Sequence, residues 1–120
     1  IIDRVDFKRF LHRPKWITGY SDITALHLKL QSLKVQSIHG TVPALFTKQN
    51  AEASVNSLKN ILFGEPQPIQ VKSDKQNRLG SANGQLMGGN LSLLVDSLGT
   101  SSEVNCDGKI LIIEDVGEHY

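Results

Sequence analysis

Two short β-type segments enclose one helical pattern near the start of the chain, and this arrangement constrains the fold more than any other feature. Residues 16–20 are rich in aromatic and β-branched side chains, and residues 35–39 alternate between apolar and polar. Between them, apolar residues recur at spacings of 3, 4 and 3 within residues 23–33, which predicts one apolar face of a helix. A strand, a helix and a strand in this order predict a βαβ unit with parallel strands and a right-handed crossover.

The beginning of this helix is predicted from Ser21 and Asp22. Ser21 fits an N-cap because its hydroxyl can accept a hydrogen bond from the first turn, and Asp22 suits the positive end of the helix dipole. The same serine lies on a strand-to-helix turn, which is where a nucleophile elbow G-x-S-x-G occurs. Because Ile23 replaces the closing glycine of that motif, a cap or a pocket wall explains Ser21 better than a nucleophile does.

The middle of the chain combines a second helix with an exposed connection. Apolar residues recur at spacings of 4, 3 and 4 from Ala51 to Leu62, which predicts the helix. Gly64 and Pro66 are expected to end it. Residues 68–72, PIQVK, alternate like a short strand, and the polar, glycine-bearing residues 73–84 are a candidate linker.

The last third predicts a strand, a turn, a helix and a final strand. Residues 85–87 form a brief strand, and Gly88 and Gly89 form a turn with Asn90 as the N-cap of a short helix. The backbone amides of that turn, with Asn90 beside them, could hold a substrate carboxylate or carbonyl, although a purely structural turn fits equally well. Residues 109–113, KILII, are continuously apolar, which is typical of a strand buried on both faces.

Titratable residues mark further candidate positions. Glu114 and Asp115 directly follow the last strand, where α/β folds place catalytic groups, although the pattern alone favours a solvent-facing carboxylate. His39 ends a predicted strand and is a pocket candidate, whereas His27 lies beside the apolar stripe and fits a hydrogen-bonded interior histidine. The four histidines, which include His119, do not have the spacing of a metal motif, so no metal is expected.

Composition narrows the classes of partner and compartment. The chain has 120 residues, a size for one ordinary domain, and its formal charge of +1 argues against a nucleic-acid partner. No apolar run reaches the roughly 18–20 residues that span a bilayer, so no membrane partner is expected. The single Cys106 excludes an internal disulfide and fits a reducing compartment, which we expect to be the cytoplasm. The absence of an initiator Met and the stop soon after a strand pattern suggest an internal piece of a longer protein.

Three segments together resemble the LD-carboxypeptidase family. Residues 14–27, PKWITGYSDITALH, are similar to the family segment that contains SDITALH. Residues 84–94, GQLMGGNLSLL, resemble its G-x-L-x-GGNLSLL motif, and residues 108–118, GKILIIEDVGE, resemble its GKILFLEDVGE motif. The three matches occur in the order of the family and span nearly the whole chain.

The resemblance implies a serine peptidase with a Ser-Glu-His triad and no cofactor, in which the serine and the histidine lie outside this chain. The match places the triad glutamate at Glu114, where it would hold the imidazole in the correct tautomer. Gly89, Asn90, Ser21 and Asp22 are then expected to line the substrate pocket. The fold implied is α/β, with parts of a flavodoxin-like N-terminal domain and of a C-terminal α/β domain, both with incomplete sheets.

The resulting expectations are specific. Residues 1–64 would be the remainder of the N-terminal domain, residues 65–84 a linker with a short strand, and residues 85–120 the start of the C-terminal domain. The parent would remove the terminal D-amino acid from a murein tetrapeptide, whereas this chain alone would be inactive. The alternatives are a non-catalytic peptide-binding or assembly module and a microcin-type peptidyl-nucleotide hydrolase. Open sheet edges favour a homodimer.

Overall fold

A computed structural model describes residues 1–103 and 105–117, which form four helices and four strands. The helices are α1 (Lys8–His12), α2 (Thr24–Ser32), α3 (Glu52–Leu62) and α4 (Leu91–Asp96). The strands are β1 (Thr18–Gly19), β2 (Ile38–His39), β3 (Gln85–Asn90) and β4 (Lys109–Glu114). Short 3₁₀ turns cover Ile2–Arg4, Ser21–Ile23 and Pro43–Leu45.

The strands form two parallel pairs. In the first pair, β1 lies beside β2 with Gly19 opposite His39, and α2 connects the two strands. In the second pair, β3 lies beside β4 from Gln85 opposite Lys109 to Asn90 opposite Glu114, and α4 lies in the connection. The predicted α/β class with incomplete sheets is therefore confirmed.

Helix α2 lies at the centre of the packing and contacts β2, β3 and α4. Leu28 and Leu30 of this helix are 1% and 0% exposed and belong to the hydrophobic core. The predicted single stripe is only partly correct, because Leu26 is half-buried while Thr24 and His27 are buried. A helix that packs against elements of both sheet pairs buries more of its circumference than one stripe, which explains the difference.

The Gly88 and Gly89 pair continues a strand, so the predicted turn at this position is wrong. Gly88 and Gly89 have φ of +129° and +145°, and β3 runs through both to Asn90. A Cβ on Gly88 would overlap the carbonyl oxygen of Ile112 and lie 2.8 Å from its carbonyl carbon. Glycine is needed here because the backbones of β3 and β4 approach each other too closely for a side chain.

The predicted strand at residues 68–72 is also wrong. Residues 65–84 contain no helix or strand and are exposed throughout, with Ile69 and Val71 at 86% and 83% exposure. An alternating pattern needs a neighbouring strand, and the described residues offer none to this segment. The domain boundaries at residues 64 and 84 stay a prediction.

Strand β4 is less buried than its apolar run predicts. Leu111, Ile112 and Ile113 are 44%, 48% and 54% exposed. The described residues place β3 along one edge of β4 but leave much of its two faces uncovered. The expectation of burial on both faces is therefore wrong for this chain.

Candidate active site

The carboxyl ends of β3 and β4 meet at one edge of the parallel pair. Asn90 ends β3 directly opposite Glu114, which ends β4. The Ser21–Ile23 turn follows the carboxyl end of β1 and contacts β3. The fold thus brings the end of β4, the end of β3 and the turn after β1, which hold all the predicted site residues, to one side of the structure.

Glu114 carries a buried carboxylate oxygen that lacks a partner. The residue is half-buried, and within residues 1–103 and 105–117 its Oε2 accepts no hydrogen bond. The Oδ2 atom of Asp115 is also buried and accepts no hydrogen bond from those residues. A buried carboxylate oxygen without a donor is costly, so this edge is chemically suited to receive an N–H or O–H group from another segment.

Asp115 is held by its second oxygen. Its Oδ1 accepts a hydrogen bond from its neighbour Val116 N–H at 2.8 Å and a longer one from Asn90 Nδ2 at 3.5 Å. These contacts fix the chain where it leaves β4, which limits the directions in which the adjacent Glu114 can point.

The polar groups of Asn90 make hydrogen bonds to neighbouring parts of the protein. Its Oδ1 accepts from Leu93 N–H at 3.3 Å, which confirms the predicted N-cap of α4. Its backbone N–H donates to the Thr24 hydroxyl at 3.0 Å. Gly89, directly before it, is buried against Thr24. The roles of Gly89 and Asn90 in substrate binding stay predictions.

Ser21 is not the N-cap that its sequence context predicts. Helix α2 begins at Thr24, its N-cap position is Ile23, and no side chain makes a capping hydrogen bond there. Ser21 instead begins the 3₁₀ turn with φ of +55°, a left-handed conformation that costs a non-glycine residue about 1–2 kcal/mol. The side chains of Ser21 and Asp22 are exposed, so both remain accessible to line a pocket.

His27 is a hydrogen-bonded interior histidine, as predicted. It is 7% exposed, its Nε2 lies 3.0 Å from Gly19 O, and its Nδ1 lies 2.8 Å from Ser37 Oγ. Burial lowers the pKa of His27, the hydrogen bond to Gly19 opposes this, and the nearby charge of His39 adds to the lowering. In the neutral ring, Nε2–H donates to Gly19 and Nδ1 accepts from Ser37, which ties α2 to β1.

Two other histidine predictions have different outcomes. His39 is exposed, with its ring centre 6.0 Å from that of His27, and its role as a pocket residue stays a prediction. His119 lies outside the described residues. Among the residues that the structure describes, no group of three His, Cys, Asp or Glu side chains could hold a metal ion.

Sequence reasoning missed Thr24. It is fully buried and connects the helix after β1 to the end of β3. A threonine in the first turn of a helix gives no pattern that would reveal a partner 66 residues away. The only signal in the sequence is its position within the SDIT segment.

A cavity of about 550 Å³ lies at the other end of β3 and β4, lined in part by Gln85 and Lys109. Five residues of extended chain, roughly 17 Å, separate these positions from Asn90 and Glu114. The cavity is therefore distinct from the candidate site. No described helix has the length and apolar character to cross a bilayer.

Comparison with known families identifies the family of the chain. The model of the LD-carboxypeptidase N-terminal domain matches residues 1–40, and the model of the LD-carboxypeptidase C-terminal domain matches residues 83–120. The chain belongs to the LD-carboxypeptidase family. The segments around Ser21 and around Glu114 therefore lie within the two matched domains of an LD-carboxypeptidase.

Two curated relatives that match this chain are named for murein peptide carboxypeptidase activity. The murein tetrapeptide carboxypeptidase of Pseudomonas aeruginosa is 32% identical over 119 residues, which is 89% of this chain and 38% of that protein. A relative in Bacillus subtilis, also named for murein peptide carboxypeptidase activity, is 36% identical over 121 residues, 95% of this chain and 37% of that protein. The chain spans little more than a third of the length of these relatives.

Solved structures show the same fold. The MccF-like protein from Bacillus anthracis superposes with a TM-score of 0.75 at 22% identity, over 93% of this chain and 41% of that chain. MccF in complex with glutamyl sulfamoyl guanosine superposes with a TM-score of 0.74 at 20% identity, over 93% of this chain and 43% of that chain. This chain of the LD-carboxypeptidase family therefore shares its arrangement of elements with MccF.

Proposed function

We propose that the protein containing this chain is a serine LD-carboxypeptidase that removes the terminal D-amino acid from a murein tetrapeptide, as in cell-wall recycling. The observation that carries the proposal is the buried Oε2 of Glu114, which accepts no hydrogen bond from residues 1–103 or 105–117. It lies at the strand edge where Asn90 and the Ser21–Ile23 turn also lie. The names of the relatives in Pseudomonas aeruginosa and Bacillus subtilis support the substrate class.

In this proposal Glu114 is the acid of a Ser-Glu-His triad. Its carboxylate accepts the N–H of an imidazole that the family resemblance assigns to a segment outside this chain. The accepted hydrogen bond holds the imidazole in the tautomer that can take a proton, and the negative charge stabilises the imidazolium that forms. A buried carboxylate is suited to this task because water does not compete for its lone pairs.

The reaction then follows the general course of serine acyl transfer. The serine hydroxyl attacks the carbonyl carbon of the last amide bond, and the imidazole removes the hydroxyl proton. Collapse of the tetrahedral intermediate breaks the C–N bond, and the imidazole returns its proton to the departing D-amino acid nitrogen. Water hydrolyses the acyl-enzyme in a second, equivalent cycle. This chain alone, which supplies only Glu114 to that triad, is inactive in the proposal.

The test is a Glu114→Gln substitution in the full-length protein. Glutamine keeps the size of the side chain but presents an amide that cannot stabilise an imidazolium. We expect kcat for release of D-Ala from a murein tetrapeptide to fall roughly 10⁴-fold, which is the order of magnitude for loss of the triad acid in other serine hydrolases. Release of D-Ala is measured by coupled oxidation of the free amino acid.

A matched control is Glu65→Gln, since Glu65 is an exposed carboxylate in the segment without helix or strand. We expect this variant to keep the activity of the unaltered protein. Undiminished release by Glu114→Gln would reject the triad role of Glu114.

Two other functions remain to be separated from this one. The fold shared with MccF supports a peptidyl-nucleotide substrate as the second candidate, and a panel of murein peptides and peptidyl-nucleotides offered to the full-length protein distinguishes the two. A non-catalytic peptide-binding module is the third candidate. Calorimetry would then detect a D-Ala-ended peptide binding to the isolated chain, whereas the enzyme proposal expects no heat from this incomplete site.

We further propose a cytoplasmic location and a homodimer. A sequence with a single cysteine suits a reducing compartment, and in this chain the exposed apolar residues of β4 provide a surface for association. Cell fractionation with antibody detection tests the first point. Sedimentation of the full-length protein tests the second.

A further inference from the structure

The buried hydroxyl of Thr24 connects helix α2 to the carboxyl end of β3, which lies beside Glu114. Thr24 is 0% exposed, and its Oγ1 accepts the backbone N–H of Asn90 at 3.0 Å. Among the hydrogen bonds of the described residues, it is the one that links α2 to the carboxyl end of β3, between residues that are 66 positions apart. The SDIT and GGN segments of the sequence are therefore joined by this hydrogen bond.

The packing around that hydroxyl leaves it little freedom. A Cβ on Gly89 would lie 2.5 Å from Thr24 Oγ1 and 2.7 Å from Thr24 Cγ2, so the absence of a side chain at Gly89 is what admits the threonine. Gly89 also has φ of +145°, which a residue with a side chain rarely adopts. The shapes of Thr24 and Gly89 are thus complementary, and the Thr24 hydroxyl accepts the Asn90 amide in a part-buried hydrogen bond.

The hydrogen bond between Thr24 and Asn90 lies close to Glu114, the proposed triad acid. Asn90, whose amide Thr24 holds, is opposite Glu114 in the β3–β4 register, and its side chain reaches Asp115 at 3.5 Å. A shift of the Asn90 backbone therefore moves the edge on which Glu114 is placed. A displacement of about 1 Å in a catalytic group can cost on the order of 100-fold in rate.

We propose that Thr24 is a positioning residue that sets the placement of Glu114 through its hydrogen bond to the Asn90 amide. This inference rests on the proposed function, because it concerns the geometry of the same triad acid. The hydroxyl, rather than the volume of the side chain, carries the effect. Thr24 does not touch the substrate in this proposal.

The test compares three substitutions in the full-length protein. Thr24→Ser keeps the hydroxyl, Thr24→Val keeps the shape but removes the acceptor, and Thr24→Ala removes both. We expect Val and Ala to lower kcat about 10- to 100-fold with KM within about twofold of the unaltered protein. We expect Ser to retain kcat within about threefold. Thr47→Val, an exposed threonine, is the matched control and leaves both constants unchanged.

Two further readouts separate positioning from a general loss of structure. A Glu114 that has moved away stabilises the imidazolium less, so the acid limb of the kcat/KM profile should move to lower pH in Val and Ala but not in Ser. Hydrogen exchange of the Asn90 amide should speed up at least tenfold in Val and Ala and stay slow in Ser.

The outcomes are distinct. If Thr24→Val fails to fold, Thr24→Ala is compared with Thr24→Ser instead, by the steady-state constants, the pH profile and the exchange of the Asn90 amide. The proposal expects Ala to show the lower kcat, the shifted acid limb and the faster exchange. Loss of kcat in Ser equal to that in Val would overturn the proposal, because the hydroxyl that Ser keeps would then not preserve the placement of Glu114. Fast Asn90 exchange with unchanged kcat in Val would also overturn it. An unaltered protein without peptidase activity would refute the proposed function itself, while the exchange data would still report on the hydrogen bond.

Discussion

Replacement of Gly88 by alanine is a severe test of the close approach between β3 and β4. The Cβ of Gly88→Ala would overlap the carbonyl oxygen of Ile112, and it would lie 2.8 Å and 2.9 Å from the carbonyl carbon and the nitrogen of the same residue. All three are backbone atoms within β4, so no side-chain rotation can relieve the contact. One of the two strands must move, and their register at Asn90 and Glu114 lies only two residues further on.

The magnitude follows from two contributions. A φ of +129° is unfavourable for alanine by about 1–2 kcal/mol, and forcing an extra methyl into a closed space costs typically about 1–3 kcal/mol more. We therefore expect a loss of roughly 2–5 kcal/mol in the free energy of unfolding. Gly99→Ala is the matched control, since Gly99 has φ of +73° but nothing within 4 Å of its Cβ position. It should lose only about 1–2 kcal/mol.

Urea unfolding followed by circular dichroism measures both variants in the same polypeptide. We predict a clearly lower urea midpoint for Gly88→Ala than for Gly99→Ala. The slope of the unfolding free energy against urea concentration should change little. Equal midpoints for the two variants would refute the close approach of the two backbones, because conformational strain alone would then explain both.

Three further predictions concern pH and association. Hydrogen bonds from Ser101, Ser102 and Lys29 lower the pKa of Asp3 from 3.8 to about 2, so stability that is present above pH 3.8 should fall as the pH drops toward 2. Asp3→Asn should lose that dependence in an acid titration followed by fluorescence; an unchanged titration would contradict it. Because the pKa of His27 is lowered from its usual 6.5 by burial, protonation favours the unfolded chain, and stability should decline as the pH falls through 6.5. The urea midpoint of His27→Gln should therefore depend less on pH between about 7.5 and 5.5, and an equal dependence would count against the argument. The isolated chain should self-associate in light scattering, since its β4 face is exposed; a monodisperse monomer with a high, cooperative melting temperature would argue the reverse.

Local patterns predicted those elements whose signals are contained within a few residues. The stripe that ends at Leu62 became α3, and Gly64 closes it with φ of +88° while Glu65 N–H donates to Asn60 O at 2.7 Å. The Asn90 cap was predicted for the same reason, because a side-chain oxygen and an amide three residues later suffice to form it.

Features that depend on contacts distant in sequence could not be predicted in the same way. Glycines usually indicate a turn, yet Gly88 lies inside β3 because another backbone comes close to it. Residues 68–72 alternate like a strand, but none of the described strands lies beside them. Thr24 gave no signal apart from its position within the SDIT segment, since its hydrogen-bond partner is an amide 66 residues away.

The candidate site combined both kinds of information. The end of a predicted strand suggested Glu114 as a candidate, and the structure does place it at the end of β4. Only the family resemblance distinguished it from an ordinary surface carboxylate. The structure adds that its Oε2 is buried and accepts no hydrogen bond from residues 1–103 or 105–117. That atom is the point at which the sequence argument and the geometry can be tested together.

An experimental structure of the full-length protein provides the most direct test of the central proposal, through the distance from Glu114 Oε2 to the nearest imidazole nitrogen. The account predicts a hydrogen bond of about 2.6–3.2 Å to a histidine from outside residues 1–120, whose other nitrogen faces a serine hydroxyl. A Glu114 carboxylate that faces solvent, with no imidazole within about 4 Å, would contradict the assignment of this residue as the triad acid.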